Sequence, residues 1–190
     1  MKTLKTIALV FSTVAIFTSC SDDNNKSTPV IEEELITTLT AIYTPQGGGT
    51  AVTLESKDID GSGNPMITIS GPFAQNTTYN GVVTFKNESV NPAEDITIEI
   101  KELAEEHQVF YEETGSLNNF TYATAMDNFD ADGNPVGLQS VFTTTGAADG
   151  DLKITLVHLP NKSALGVSSG NITNADGSTD AQAIFPITVE

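Results

Sequence analysis

From Leu35 to Glu190 apolar and polar positions alternate in short runs, and glycine, asparagine, aspartate and proline fill the gaps between them. The clearest alternation is "DITIEIKE", where Ile96, Ile98 and Ile100 are interleaved with Asp95, Thr97, Glu99 and Lys101. A period of two predicts a half-buried strand. "DLKITLVHL" repeats the pattern with Leu152, Ile154 and Leu156 in phase, and "AIFPITVE" sets Phe185, Ile187 and Val189 on one side. Pro186 has no N–H to give a ladder, so this last strand belongs at an edge or carries a bulge. Further strands are predicted in "LITTLTAIYT", "GTAVTLES", "PMITISG", "GVVTFKN", "HQVFYEE", "NFTYATAMD" and "PVGLQSVFTTT". Only "NPAED" and "KELAEEH" hint at helix, and the β-branched alternation between them argues against a long one. About ten short strands, each with one apolar face, pack as two antiparallel sheets. The expected fold is all-β: an antiparallel β-sandwich, immunoglobulin-like in the broad sense, formed by residues 35–190 as one domain.

The chain ahead of this domain reads differently. "MKTLKTIALVFSTVAIFTSC" has two lysines, an apolar run from Ile7 to Phe17, and small polar residues ending in the only cysteine. The run is shorter than the roughly 18 apolar residues needed to cross a bilayer, and it has the layout of a secretory signal over residues 1–19. "FTSC" resembles a lipobox, which makes Cys20 the acylated residue of a lipoprotein and accounts for an unpaired cysteine in an exported chain. Phe17 departs from the leucine usual at the first lipobox position. Ser21, Asp22 and Asp23 look like the acidic export tag of surface-displayed Bacteroidota-type lipoproteins, and residues 20–34 read as a flexible, acidic tether too polar to bury itself. Each buried methylene of an acyl chain contributes roughly 0.8 kcal/mol, so several chains on one cysteine anchor the domain firmly.

Charge narrows the partners. Without the signal, which carries Lys2 and Lys5, six lysines face twenty-five acidic residues, a net of about −19, and there is no arginine. Nucleic-acid binding requires clustered Lys or Arg, and bidentate phosphate recognition favours arginine, so neither nucleic acid nor a polyphosphate is an expected ligand. The same charge repels an anionic membrane, leaving attachment to the lipid.

Two Asp-Gly segments raise the question of calcium. "DNFDADGNPVG" places Asn128, Asp130 and Asp132 at positions one, three and five of a calcium-binding loop with Gly133 at six, but position twelve is Gln139 and brings no bidentate acid. An earlier copy aligns Ser56, Asp58, Asp60 and Gly61, with Ile67 at position twelve. Both segments set D-x-D-G and then Asn-Pro ahead of an alternating run, a weak echo of hairpin duplication. Asp-Gly between alternating runs is also a hairpin signal, with Asn and Asp capping the turn through their own side chains. The turn is the favoured reading, and a weak calcium site at either tip is the only cofactor expected.

The imidazoles are His107 and His158. His158 follows Leu156 in strand phase and reads as a sheet-end histidine, while His107 has Glu105 and Glu106 beside it as potential co-ligands. Two histidines about fifty residues apart with no cysteine partner make a poor zinc or haem case. There is no G-x-S-x-G, "GSG" at Gly61 to Gly63 is a turn, and "GGG" at Gly47 to Gly49 precedes no helix that could cradle phosphate.

With the lipobox, the acidic tag, "TPQGGGT", "NTTYNG", "NPAEDIT", "EEHQVFY" and "GNITNADGSTD", nearly the whole chain resembles a family of small Bacteroidota-type surface lipoproteins of unassigned activity. Sequences of this look sometimes carry the name GTP cyclohydrolase. That chemistry requires a zinc site and cationic contacts to a triphosphate, and the separated histidines and missing arginine argue against it. The resemblance brings no activity with it; the anchor, the tether and the lack of a catalytic constellation point to an outer-membrane, surface-exposed, non-enzymatic binding or accessory module, serving a transport receptor complex or an extracellular ligand, with a structural or adhesive surface protein as the alternative and an enzyme as the third reading. Exposed rings among Tyr43, Tyr79, Phe110, Tyr111, Phe120, Tyr122 and Phe129 would favour solute or carbohydrate binding, and buried rings the structural role.

Overall fold

A computed structural model describes residues 35–190. The signal segment 1–19, Cys20, the tag residues Ser21, Asp22 and Asp23, and the rest of the 20–34 tether lie outside the described residues. In chain order the elements are β1 (Thr38–Pro45), β2 (Val52–Lys57), β3 (Met66–Ile69), β4 (Thr78–Asn87), β5 (Glu94–Asp95), α1 (Ile96–Glu102), β6 (His107–Glu113), β7 (Phe120–Tyr122), β8 (Gln139–Thr143), β9 (Ala148–His158) and β10 (Ser178–Val189). They form an all-β sandwich. A seven-stranded antiparallel sheet runs β3-β2-β1-β4-β8-β7, with β5 paired to β4, and a three-stranded antiparallel sheet runs β10-β9-β6.

Alternation explains how the two sheets meet. Leu39, Ala41 and Tyr43 of β1, Tyr79, Val83 and Phe85 of β4 and Phe142 of β8 turn inward and meet Leu152, Ile154 and Leu156 of β9 and Ala183, Phe185, Ile187 and Val189 of β10. Their partners in the pattern, such as Ile42, Thr44, Asn80 and Val82, stay exposed on the outer face. At the centre Phe73 packs edge-on against Tyr43, Tyr79 and Phe142 at centroid separations of 5.4, 5.0 and 5.1 Å, and Phe120 stacks on Phe142 at 4.0 Å. These edge-to-face and stacked pairs suit ring quadrupoles and add to simple area burial. Inward-facing Gly81 makes room for the Tyr43 ring: a Cβ there would collide with that ring and lie 2.6 Å from Ser140 Oγ.

Pro186 sits where its chemistry allows. β10 is the edge strand of the small sheet and carries a register shift between Thr179 and Ala181. Thr188 and Glu190, which share the phase of Pro186, turn their backbone away from β9: Phe73 N–H donates to Thr188 O at 2.9 Å, and Glu190 N–H donates to Phe73 O at 2.8 Å. The missing N–H of Pro186 therefore falls on the outer side and costs no bond to β9. The same pair of bonds ties the segment ahead of β4 to the free edge of β10.

Two departures from simple alternation matter. "DITIEIKE" is a helix, not a strand. Asp95 caps it by accepting from Thr97 N–H at 3.1 Å, and the Thr97 hydroxyl accepts from Phe85 N–H at 2.9 Å while donating to Phe85 O at 3.2 Å. Three isoleucines spaced by two keep the strand period, and the outer two are also one helical turn apart. A strand would bury all three, whereas a helix brings Ile96 and Ile100 to one face and throws Ile98 to the other. Ile96 and Ile100 are buried and Ile98 is 58% exposed. The second departure is β6, which is buried on both faces. Residues 159–177, including short 3-10 turns at Val167–Ser169 and Ile172–Asn174, lie over the outside of the small sheet and cover Phe110 and Val157 with Val167 and Ala175.

Candidate functional site

The D-x-D-G loops lie in connections between antiparallel neighbours, but the second is not a set of converging oxygens. Asn128 is buried, and its amide is spent internally: Nδ2 donates to Ala123 O at 2.9 Å and Gln139 O at 2.8 Å, while Oδ1 accepts from Gln139 N–H at 2.8 Å. Asp130 Oδ1 accepts from Asp132 N–H at 3.1 Å and Asn134 N–H at 2.8 Å. Its Oδ2 takes the ammonium of Lys162 at 3.0 Å. Lys162 Nζ completes its donors with Ala104 O at 2.6 Å and Pro135 O at 3.1 Å. Burial lowers the Lys162 pKa, and the Asp130 carboxylate opposes that shift. The cation facing Asp130 is thus the protein's own. Asp132 joins this set through its backbone N–H, and Gly133, at φ 82°, closes the turn with its N–H to Asp130 O at 3.1 Å.

In the first loop the carboxylates hold backbone. Asp58 Oδ1 accepts from Ser62 N–H at 3.1 Å and Oδ2 from Gly63 N–H at 2.8 Å, while Asp60 Oδ1 accepts from Ser62 N–H at 3.1 Å. The Ser62 bonds are the main reason that the Asp60 carboxyl ionises below its ordinary range. This loop turns β2 into β3 at the surface, and its two acids do approach each other.

A polar cleft of about 300 Å³ opens beside β6 and β7, lined by Glu113, Asn119, Tyr122 and Asn171. Burial raises the Glu113 pKa. The ring hydroxyls turn away from the cleft: Tyr122 Oη donates to Val109 O at 2.8 Å, and Tyr111 Oη donates to Gly137 O at 2.7 Å.

Among the described residues, one close group of titratable side chains is concealed by linear spacing. In the sheet register His107 of β6 stands directly opposite His158 of β9, and Asp180 occupies the bulge of β10 beside them. The imidazoles stack at 4.8 Å with 8° between their planes. His107 Nε2 lies 3.8 Å from Asp180 Oδ2 and His158 Nδ1 lies 3.9 Å from Asp180 Oδ1. The His107 and Asp180 side chains are buried and that of His158 is 9% exposed. Behind this trio His107 Nδ1 sits 3.1 Å from Leu103 O, a carbonyl that can only accept, so Nδ1 donates there and Nε2 is the nitrogen turned toward Asp180. His158 Nε2 faces Glu106 Oε2 at 3.7 Å. Glu106 therefore stands behind His158 rather than beside His107, and Glu105 is exposed at the surface. The fifty-residue separation that argued against a metal centre is removed by strand pairing. Asp180, inside "GSTDAQ", carries no local signal of its part.

Of the rings that discriminate between solute binding and a structural role, Tyr43, Tyr79, Phe110, Tyr111 and Phe120 are buried, and Tyr122 and Phe129 are half-buried. No helix among the described residues is long and apolar enough to cross a membrane. Comparison with protein-family models, curated proteins and solved structures finds no match to this chain.

Proposed function

We propose that this chain is a surface lipoprotein of the Bacteroidota type, anchored in the outer membrane through Cys20, whose sandwich is a non-enzymatic accessory or adhesive module for a macromolecular partner. The observation that carries the reading is the inward placement of the aromatic rings. Recognition of a sugar or flat solute draws on an exposed ring face, and here the rings close the core. What is left for a partner is a mixed surface of apolar and uncharged polar side chains: the outer face of the large sheet presents Ile42, Thr44, Asn80, Val82 and Thr143. A surface of that kind suits a protein of an outer-membrane complex or of the matrix. Its acidity and lack of arginine set it apart from nucleic-acid modules. The "FTSC" segment and the acidic residues after it support the anchor and the outward display.

The test is cross-linking on intact cells followed by capture of the native lipoprotein from solubilised outer membranes. The expected result is one protein recovered in near-stoichiometric amount. Recovery of a glycan with no protein partner would overturn the reading in favour of saccharide binding. For the anchor, Cys20→Ala should abolish acylation and release or strand the precursor; lipid-dependent retention of the variant in the outer membrane would remove Cys20 from its role. Replacing Asp22 and Asp23 with alanine should keep the lipid and reduce protease accessibility on whole cells.

A further inference from the structure

We propose that His107, His158 and Asp180 form a binding site for a divalent transition metal of the zinc class, with His107 Nε2, His158 Nδ1 and one Asp180 carboxylate oxygen as ligands. All three residues offer ligand atoms within 4.8 Å of one another. Bonds of about 2.0–2.1 Å in tetrahedral array set neighbouring ligand atoms roughly 3.4 Å apart, so the His–Asp edges of 3.8 and 3.9 Å need to shorten by about half an ångström, the widest separation of 4.8 Å by more, and the two rings, parallel to within 8°, need to turn so that both nitrogens face one point. Rotation about the side-chain bonds of His107, His158 and Asp180 is the movement that binding requires.

Three features of the surroundings point the same way. The orientation of one ring is already set: Leu103 O lies 3.1 Å from His107 Nδ1, and Nε2 on the far side of the ring faces Asp180. A backbone carbonyl or carboxylate behind each imidazole is the usual outer support of a histidine ligand, and Leu103 O and Glu106 occupy those places. Finally, Asp180 also borders a cleft of about 250 Å³ together with Thr38, Ser56, Asp58 and Gln182, which sets one member of the trio beside an open space. Two imidazoles and a carboxylate select zinc-class ions over calcium or magnesium, which prefer all-oxygen cages. The net charge of −17 favours any cation approaching the site.

The site joins three strands that are adjacent in space and distant in sequence, so a bound ion would staple β6, β9 and β10. This proposal is independent of the partner reading above, and its failure would leave that reading intact.

The experiment uses the full chain in detergent, stripped of metal by chelation and dialysis, then titrated with Zn²⁺, Co²⁺, Ca²⁺ and Mg²⁺. The expected result is one Zn²⁺ per chain by calorimetry and elemental analysis, a melting temperature raised by several degrees, and no response to Mg²⁺. Co²⁺ should give the intense visible bands of a four-coordinate ion. His158→Gln, at the more accessible edge of the site, should keep the circular dichroism of the parent and weaken Zn²⁺ binding by at least about a hundredfold, since even loss of an outer support costs ten- to a hundredfold. Asp180→Asn should erase the four-coordinate Co²⁺ spectrum. Asp60→Asn, in the surface loop, should leave binding unchanged. Absence of stoichiometric Zn²⁺ binding, a Co²⁺ spectrum like that of the hydrated ion, equal binding in the parent and His158→Gln, or loss of binding in Asp60→Asn would each overturn the assignment.

Discussion

The ammonium of Lys162 lies 3.0 Å from Oδ2 of Asp130, across thirty-two positions of sequence, with both side chains almost fully buried. This contact decides what the D-x-D-G segment does. Asp130 joins the loop ahead of β8 to the long connection after β9, and its second oxygen holds the turn itself.

Removing one partner of such a pair leaves an uncompensated buried charge. Lys162→Met should destabilise the domain by about 3–5 kcal/mol, and Asp130→Asn should also be costly. The double variant should recover part of the loss, because the orphaned charge is then gone. Urea unfolding of the four proteins of the cycle measures the coupling. Strict additivity would mean that the pair contributes nothing jointly.

Calcium should have little to act on in these loops. Asp130 is already neutralised by Lys162, and Asn128 is committed to backbone groups of Ala123 and Gln139. Millimolar Ca²⁺ added to the chain should leave its thermal melt unchanged. A rise of several degrees that disappears in Asp58→Asn with Asp60→Asn would place an ion at the surface loop, the one where two acids remain close.

Two glycines separate crowding from backbone strain. Gly133→Ala puts a methyl into open space but at φ 82°, so the cost should be about 1 kcal/mol and confined to the turn. Gly81→Ala has an ordinary backbone and no space, since its Cβ would meet Tyr43 and Ser140. Overpacking of a filled core costs about 1–3 kcal/mol or more. Equilibrium unfolding should therefore rank Gly81→Ala as the more damaging, and the reverse order would contradict the packing described here.

The domain should lose stability in alkali. Burial raises the pKa of Tyr122 to about 12 and those of Tyr43 and Tyr111 further still. Between the unfolded value near 10 and these raised values the folded state holds protons that the unfolded chain has released, so the stabilisation is complete below about pH 10 and declines as pH rises above it. Tyrosinate absorbance followed with far-ultraviolet dichroism should show ionisation of these rings coinciding with unfolding. Ionisation of all tyrosines near pH 10 in a still-folded protein would contradict their burial.

Strand periodicity is a local property, and it made the sandwich legible in the linear chain. Leu152, Ile154 and Leu156, and Phe185, Ile187 and Val189, name their buried face through a two-residue repeat, and Pro186 announces an edge because it has no proton to donate. The same repeat could not separate helix from strand in "DITIEIKE": isoleucines spaced by two also contain an i, i+4 pair, and only the docking of Thr97 on Phe85 and the cap from Asp95 settle it. What joins residues across the chain has no local signature at all. Strand register alone makes neighbours of His107, His158 and Asp180, and only the folding of the β9–β10 connection over the small sheet brings Lys162 to Asp130. Electrostatic and ligand geometry act over a few ångströms of space, whereas the patterns readable in a sequence extend over a few residues of chain, and only tertiary structure converts one into the other.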